Sequence, residues 1–443
     1  MNQRRGPALW ATAIITLAAV WLSTIPAKAI PAFARRYQTS CQTCHTIYPA
    51  LTPFGEAFRR NGYRFPGDDD EDRTEEEPLE LGHEIQADLF PDEVWPGQIP
   101  GNVPLAVYVM PMVSLQRGPG GGGHGAEAAV ERRDGGAPAP AGWGTGFGGQ
   151  MGLITAGNLG RHLSFFGKLE ISADGDVSLE RPNVTITPFD SPYLNIKLGN
   201  FEPSLLGFSI HRSLTGHQLA FTTSYLGDNE WTPEPTQTGI ELNGTLAHRF
   251  SYSAGLVDGQ ANVRNRQKDV YGRLEYKFGG MSFDGTEATG YSQPWQELSM
   301  TIGASFYRGD ATIRDPMGIA NEHDTFWRAS ADASFHLKDA TVILSGFRQE
   351  DNRPLITTSD SGNLTGAMAE VSYVVFPWMI PVLRYTMFRQ NLPGQARTGQ
   401  RITAGLAMLL RANVSVRLLA SGVQNTGEDA TLEDATLALQ ATF

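Results

Sequence analysis

The chain has 443 residues, a formal net charge of −12, a mean hydropathy of −0.25 and only two cysteines. The acidic balance and the lack of a basic patch argue against nucleic-acid binding, and two cysteines are too few for a disulfide-rich scaffold. The low mean hydropathy does not exclude a membrane protein, because polar and apolar residues alternate in transmembrane β-strands and average out.

The first 29 residues predict a cleaved export signal. Arg4 and Arg5 precede an apolar run over residues 8–22, and the stretch ends on Ala-Lys-Ala, whose small residues suit a signal peptidase. The apolar run is short for a membrane-spanning helix, and no stop-transfer pattern follows it. We therefore expect residues 1–29 to be removed and the mature chain to begin near Ile30.

Both cysteines lie in the stretch TSCQTCHTIYP, where Cys41 and Cys44 are followed at once by His45. This is the attachment pattern of c-type haem. Two thiols on one helical turn can each add to a porphyrin vinyl group, and the histidine supplies the proximal imidazole. A thioredoxin-like dithiol would need a βαβ pattern, a zinc site would need further nearby ligands, and a disulfide at this spacing would be strained. The stretch predicts one covalently bound haem c.

The residues around this stretch resemble the N-terminal segment of the fused monohaem cytochrome–porin family, outer-membrane proteins that include iron oxidases. The matching positions are Pro31, Phe33, Ala34, Arg35, Cys41, Cys44, His45, Pro49, Leu51, Phe54, Gly55, Phe58, Gly62 and Tyr63. The resemblance implies a haem-binding segment over residues 30–67 joined to a porin-like barrel. It also implies electron transfer, with an extracellular donor such as Fe(II) and a periplasmic carrier such as a soluble cytochrome as partners.

Residues 68–102 are predicted to be an acidic linker and the entry to the barrel. The run DDDEDRTEEE at residues 68–77 could steer cations or a basic carrier, although a solvated connection between two modules is the simpler interpretation. His83 in this linker is one candidate for the distal ligand of the haem iron.

From residue 103 to 443 the residues alternate with the period of a β-strand. In VYGRLEYKF, for example, Val270 and Leu274 share one face and Arg273 and Lys277 the other. We predict about sixteen strands, an even number as in bacterial outer-membrane barrels, near 103–115, 148–158, 162–172, 177–187, 193–202, 237–247, 250–258, 268–279, 297–307, 324–337, 340–349, 363–376, 379–390, 398–410, 413–424 and 431–443. The predicted fold class is an all-β transmembrane antiparallel β-barrel with a short helical N-terminal haem segment.

The last strand and the connections favour the same fold. DATLALQATF is an amphipathic strand ending on Phe443, as in outer-membrane barrels; the alternative is an edge strand of a secreted β-sandwich. Alternate connections should be tight periplasmic turns, and the long polar connections 117–147 and 203–236 should lie outside. The long stretch 280–296 falls on the periplasmic side as an exception, which leaves the strand count open by one hairpin.

Met110 and Met112 on the first strand are the other candidates for the distal ligand, because alternation turns both toward the lumen. Met151 on the second strand is a more remote candidate. Methionine would raise the reduction potential relative to a second histidine. A haem lodged in the lumen could have one edge near each mouth of the barrel.

Three functions remain open at this point. The leading hypothesis is conduction of electrons across the outer membrane, as an Fe(II):cytochrome c oxidoreductase or with outward flow. The second is a diffusion porin for small anions or nutrients with the haem segment as plug or sensor, and the third is a structural or adhesive barrel. The lumen cations that would suit the porin are Lys168, Lys197, Arg273, Lys277, Arg328 and Arg417.

Overall fold

The computed structural model describes residues 32–66, 79–80, 98–99, 104–117, 143–159, 162–189, 191–215, 220–260, 267–314, 321–427 and 429–443. The predicted export signal, most of the predicted linker with His83, and most of the connection 117–147 lie outside the described residues. Leu79–Glu80 and Gln98–Ile99 of the linker form a small antiparallel pair.

Sixteen antiparallel strands form a closed barrel. They are β1 (Leu105–Arg117), β2 (Trp143–Leu159), β3 (Leu163–Ser172), β4 (Val177–Ile186), β5 (Asn195–Phe201), β6 (Gln237–Leu246), β7 (Phe250–Val257), β8 (Asp269–Gly279), β9 (Leu298–Arg314), β10 (Asn321–Leu337), β11 (Ala340–Asp351), β12 (Gly362–Tyr373), β13 (Met379–Leu392), β14 (Gln395–Arg411), β15 (Val414–Asn425) and β16 (Thr431–Thr442). Each strand pairs with its neighbours in chain order, and β16 closes the cylinder on β1, with Leu437 opposite Val113. The predicted barrel and strand count are confirmed, and the β-sandwich alternative is wrong.

Alternation along each strand decides which side chains face out. On β8, Val270 and Leu274 are exposed on the outer surface, whereas Arg273 and Lys277 are buried on the lumen side. Large apolar side chains are exposed in the same way on most of the other strands. An apolar outer wall around a polar interior is what a barrel needs to stand in lipid. Within the described residues, no helix is long and apolar enough to span a membrane.

Several strands extend beyond the ends that alternation predicted. β9 and β10 pair as far as Arg314 and Asn321, and β2 begins at Trp143. The added part of β9 reads RGDATIR and is polar. Backbone hydrogen bonding does not require an apolar face, so pairing continues where the lipid-facing pattern has already stopped.

The two ends of the barrel differ in their connections. At one end, which we call the turn end, two or three residues join β2 to β3, β6 to β7, β10 to β11 and β14 to β15. β1 begins and β16 ends at this end as well. In bacterial barrels the short turns are periplasmic, and the longer connections at the opposite end, here the loop end, are extracellular.

Two segments fold into the lumen. The plug segment, residues 32–66, contains three short helices: α1 (Ala32–Arg36), α2 (Cys41–Cys44) and α3 (Pro53–Arg60). The inward loop, residues 202–236, connects β5 to β6 and contains a 3₁₀ turn (Ile210–Arg212) and a fourth helix, α4 (Ala220–Thr223); its residues 216–219 are outside the described part.

Residues 203–236 connect β5 to β6 at the loop end, as predicted, but they fold back into the lumen and do not lie outside the barrel. Trp231 of the inward loop packs with Tyr271 and Tyr307 of the barrel wall, and Phe221 packs edge-on to Phe347 at 4.9 Å between ring centroids. The loop contains enough large apolar side chains to form a core of its own with inward-facing aromatic residues. Burying these side chains in the lumen removes them from water.

Candidate functional site

The plug segment lies in the turn-end half of the lumen. Nη2 of Arg35 donates to the carbonyl of Leu105, the first residue of β1, at 2.9 Å. Nδ2 of Asn61 donates to the carbonyl of Asp284 in the connection between β8 and β9, also at 2.9 Å. Both partners belong to the turn end, so the plug is anchored at the end where the chain enters the barrel.

The long connection at residues 280–297 belongs with the plug. The Arg60 guanidinium lies 4.3 Å from the ring centroid of Phe283. Gly285 has a φ of +74°, and a Cβ there would lie 2.5 Å from the side chain of Pro66. The segment is therefore a cap that covers the plug and not a missed hairpin, which explains the exception to the short periplasmic turns.

Six aromatic side chains hold the plug together. They are Phe33, Tyr37, Phe54, Phe58, Tyr63 and Phe65. The rings of Phe33 and Phe58 meet edge-to-face at 5.1 Å, and those of Phe54 and Phe65 do so at 5.1 Å as well. Helices of four to eight residues are not stable alone in water, so this aromatic core and the surrounding wall supply the stability that the helices lack.

Cys41, Cys44 and His45 are brought together on a single helical turn. The hydroxyl of Ser40 accepts from the backbone N–H of Gln42 at 3.3 Å and begins α2. The N–H of His45 donates to the carbonyl of Cys41 at 2.9 Å and ends it. Neither cysteine forms a disulfide. Because both thiols and the imidazole belong to the same helical turn, they are neighbours on one side of the plug.

Helix α3 fixes the position of this turn. The N–H of Thr52 donates to the carbonyl of Cys44 at 2.9 Å, and its hydroxyl donates to the carbonyl of Thr43 at 2.7 Å. A Cβ at Gly55 would lie only 2.0 Å from the Cys44 carbonyl oxygen. The close approach of α3 to α2 therefore requires glycine at this position.

Burial controls the protonation of the three residues. Desolvation raises the pKa of Cys44 to about 12, with a smaller contribution from Cys41, and it lowers the pKa of His45 to about 4. Near neutral pH the thiols are protonated and the imidazole is neutral. A reactive dithiol needs a lowered thiol pKa, whereas neutral imidazole is the form that binds metals.

Hydrogen bonding of the His45 side chain to the backbone of Ala50 and Pro49 raises its pKa and so opposes the larger effect of desolvation. A metal-binding histidine usually donates one ring N–H to such a backbone group and binds the metal through the other ring nitrogen. The ring of Tyr48 lies edge-on to the His45 ring at 5.1 Å between centroids. In the described part of the chain, no group of three or more His, Cys, Asp or Glu side chains is placed to hold a metal ion by itself.

The candidate distal ligands are placed differently from one another. Met110 is buried on the lumen side of β1 and Met112 is half-buried there, as alternation predicted. The sulfur of Met110 lies 3.9 Å from Nη2 of Arg417. Met151 is 41% exposed on the outer surface, so it is wrong as a ligand candidate. His83 is outside the described residues.

Charged side chains of the lumen wall act electrostatically on Tyr48. Desolvation raises the pKa of Tyr48 and Glu170 adds to the rise, whereas Lys168, Arg181 and Arg417 act in the opposite direction. Arg181 did not emerge from the sequence, where alternation groups it with outward-facing Leu179. A β-bulge opposite Gly167 reverses the alternation at this point, and Arg181 has a φ of +54°. The available signal was the proline that follows Arg181, because proline inside a strand often marks a bulge.

Most of the cations that would suit an anion pore already have partners. Lys168 and Lys197 pair with Glu180 and Glu241 at 2.9 and 2.8 Å. Arg273 pairs with Asp332 at 2.7 Å, and Lys277 pairs with Glu297 at 2.9 Å. Arg328 differs, because its guanidinium lies over an aromatic ring, 3.4 Å from the Phe347 centroid. Charges paired in this way offer little to a passing anion.

The plug and the inward loop meet inside the barrel. A polar cavity of about 170 Å³ lies between them and the wall, lined among others by Glu56, Tyr63, Arg181 and Arg212. Across it, Nε of Arg212 is 4.0 Å from Oε1 of Glu56. The plug segment therefore occupies the turn-end half of the lumen, and the inward loop narrows the loop-end half.

A scan against protein-family models gave no match, and a search of curated proteins gave none either. Among solved structures, the chain is similar to an anion-selective porin from Comamonas acidovorans, with 13% identity and a TM-score of 0.51 over 76% of this chain and 98% of that one. It is also similar to the outer membrane channel DcaP of Acinetobacter baumannii, with 10% identity and a TM-score of 0.51 over 76% and 96% of the two chains. At these identities the likeness establishes the fold: a porin-like barrel of the outer-membrane type.

Proposed function

We propose that this chain is a monohaem c-type cytochrome built into a porin-like barrel of the outer membrane, and that it conducts electrons across that membrane. Cys41 and Cys44 would hold the haem through thioethers, and His45 would be the proximal ligand. The observation that carries the proposal is that helix α3 holds the Cys-X-X-Cys-His turn inside the lumen, where His45 is desolvated and its pKa is lowered. When bound, the haem supplies a one-electron Fe(III)/Fe(II) couple.

The surrounding residues would orient the cofactor and exclude water. Thr52 and Gly55 hold α3 against the attachment turn, and the lumen wall keeps bulk solvent away, which tunes the potential. A haem held by these residues would lie near the turn-end mouth and would not have an edge near each mouth, because Cys41, Cys44 and His45 belong to the turn-end half of the lumen. A periplasmic carrier would therefore find the cofactor close to the mouth at which it docks.

Electrons from outside would have to cross the loop-end half of the lumen. Extracellular Fe(II) would give up one electron and become Fe(III), and a periplasmic carrier would finally take up that electron. Aromatic rings occupy part of this route: Trp231 lies 4.4 Å from Tyr307 and 4.9 Å from Phe326 between centroids. Tyr271 is stacked 6.3 Å from Tyr307 on the same wall.

The diffusion porin is the less well supported function. The plug and the inward loop both occupy the lumen, and most of its cations are paired with carboxylates. Neither feature suits a wide aqueous channel of the kind that a barrel of this size otherwise leaves open.

Liposomes that enclose a redox dye distinguish the two functions. The haem-bearing protein should let an external reductant reduce the dye while small solutes stay inside, and the C41S/C44S variant should abolish dye reduction. Solute leakage through the wild-type protein without dye reduction would support the porin and contradict the conduit.

A potentiometric titration of the purified protein tests the donor. We expect Fe(II) to reduce the haem, with a midpoint potential at or above that of the available iron couple. A midpoint potential well below that couple would contradict Fe(II) oxidation and would favour electron flow toward an extracellular acceptor.

A further inference from the structure

Three arginines lie on the outer surface of the barrel near its loop end. They are Arg308 on β9, Arg348 on β11 and Arg389 on β13, and all three are exposed. Alternation turns them outward, because their neighbours in the chain face the lumen: Tyr307 and Gln390, for example, are buried there. The three side chains therefore project from the wall that faces lipid.

The register of the strands brings the arginines close to one another. Arg348 and Arg389 are both directly opposite Thr365 of β12, one on each side of it. Two strand spacings separate them, about 10 Å between Cα atoms. Arg308 is opposite Trp327 of β10, and Arg348 is opposite the residue two positions later on the same strand. Long arginine side chains can reach a common group from such positions.

The arginines lie where the apolar outer wall ends. Phe306 is exposed on the same face two residues before Arg308, and Trp327 stacks against it at 6.1 Å between centroids. β11 ends three residues after Arg348, and β13 ends three residues after Arg389. Tryptophan is typical of the membrane interface, and the loop end is the extracellular end. The arginines are therefore at the level of the headgroups of the outer leaflet.

Positive charge is in excess on this surface. Arg348 pairs with Glu350 of its own strand, and both side chains are exposed, so the pair is open to solvent and weak. In the part of the chain that the structure describes, the side chains of Arg308 and Arg389 form no hydrogen bond or ion pair. The surface therefore suits a negatively charged group that approaches from the membrane.

We propose that Arg308, Arg348 and Arg389 form a docking surface for the phosphorylated headgroup of a lipid of the outer leaflet. Guanidinium groups bind phosphate through parallel N–H donors, and basic side chains at the membrane interface attract anionic headgroups. The inference goes beyond the proposed function, because it does not depend on a haem.

The wall below the arginines suits the acyl chains of such a lipid. Ala331, Gly346 and Ala367 lie in one row across β10, β11 and β12, on the same outer face as the arginines. Because their side chains are so small, acyl chains can lie close against the strands at this point. A lipid would use the cations and this smooth surface together, whereas a free phosphate ion would use the cations alone.

Native mass spectrometry of the full-length protein, titrated with bisphosphorylated lipid A in detergent, tests the proposal. We expect R308Q and R389Q each to weaken lipid binding about fivefold, as for the loss of one basic residue at an anionic surface. The double variant R308Q/R389Q should lose more, and R308K/R389K, which keeps the charges, should lose less. Dephosphorylated lipid with the same acyl chains should bind the wild type only as weakly as lipid A binds R308Q/R389Q.

R411Q is the matched control, because Arg411 is exposed at the turn end of β14 and the substitution removes the same formal charge. It should bind lipid A as the wild type does, and heat-modifiable migration on gels checks that each variant folds. Equal affinity in R308Q/R389Q and the wild type would contradict the proposal. Complete displacement of lipid A by inorganic phosphate at constant ionic strength would mean that the arginines bind free phosphate. Loss of a dimer or trimer mass in R308Q/R389Q would mean that this face binds another copy of the chain, and either result would also overturn it.

Discussion

Gly55 is the residue that lets helix α3 pack against the Cys-X-X-Cys-His turn of α2. A Cβ would lie 2.0 Å from the Cys44 carbonyl oxygen, which is backbone and cannot rotate away. We expect G55A to destabilise the plug by about 1–3 kcal/mol, as overpacking does. Trypsin should then cleave the folded protein at Arg59, Arg60 or Arg64 faster than in the wild type.

The matched control for this prediction is G148A on β2, where an added Cβ meets nothing within 4 Å. Its cleavage rate should equal that of the wild type. Equal rates for G55A and G148A would show that α3 does not need its close approach to α2.

Glu56 is a second residue for which the structure predicts the direction in which stability changes with pH. Burial alone would raise its pKa, but Arg59, Arg212 and Arg60 hold the pKa well below its usual value. The charged carboxylate therefore stabilises the fold above its ordinary pKa of about 4.3, and this stabilisation is lost as the pH falls toward the lower folded-state value.

We expect E56Q to lower the free energy of unfolding by about 1 kcal/mol at neutral pH, as for a partly exposed ion pair. The difference between wild type and variant should be constant from pH 7 to about 5 and should shrink below about 4.3. Urea unfolding in detergent at several pH values measures it. A difference as large at pH 3 as at pH 7 would contradict the role of the charge.

At the scale of the strand, a charged substitution on the outer surface of the barrel should lower stability by an amount that depends on its depth in the bilayer. Leu274 is in the middle of β8 and 56% exposed, whereas Leu432 is 47% exposed near the loop end of β16. We expect L274R to cost about 2–4 kcal/mol of stability, and L432R, its control, about 0–1 kcal/mol, because arginine is costly only near the bilayer midplane. Unfolding in lipid vesicles measures both, and equal costs would mean that this apolar outer surface of the barrel does not face lipid.

The strands were largely predictable from sequence because period-two alternation directly reflects one face in lipid and one in the lumen. The inward loop was not predictable in this way, because it has no periodicity and its apolar residues are spread over residues 202–236. Arg181 was missed because one bulge reverses the alternation. Haem attachment could be predicted from sequence because its chemistry fixes a spacing of three residues between the two cysteines, whereas a distal ligand would depend on parts of the chain that come together only in three dimensions.

For the whole molecule, the two lumen segments predict how the barrel conducts ions. In planar bilayers the wild type should show little conductance. A variant lacking residues 32–66 should conduct more, and one in which a short linker also replaces the inward loop should conduct most, since a barrel of this size then leaves an open channel. Heat-modifiable migration on gels checks that each variant folds. A wild-type conductance equal to that of the double deletion would contradict the occupied lumen.

Electron conduction through this molecule would require a haem that is covalently attached inside the barrel. Mass spectrometry of the outer-membrane form, expressed with c-type haem maturation, tests this most directly through the peptide that contains Cys41, Cys44 and His45. We predict that this peptide has gained the mass of one haem, and that the gain is absent in the C41S/C44S control. A wild-type peptide with two unmodified thiols in a correctly folded barrel would contradict the account.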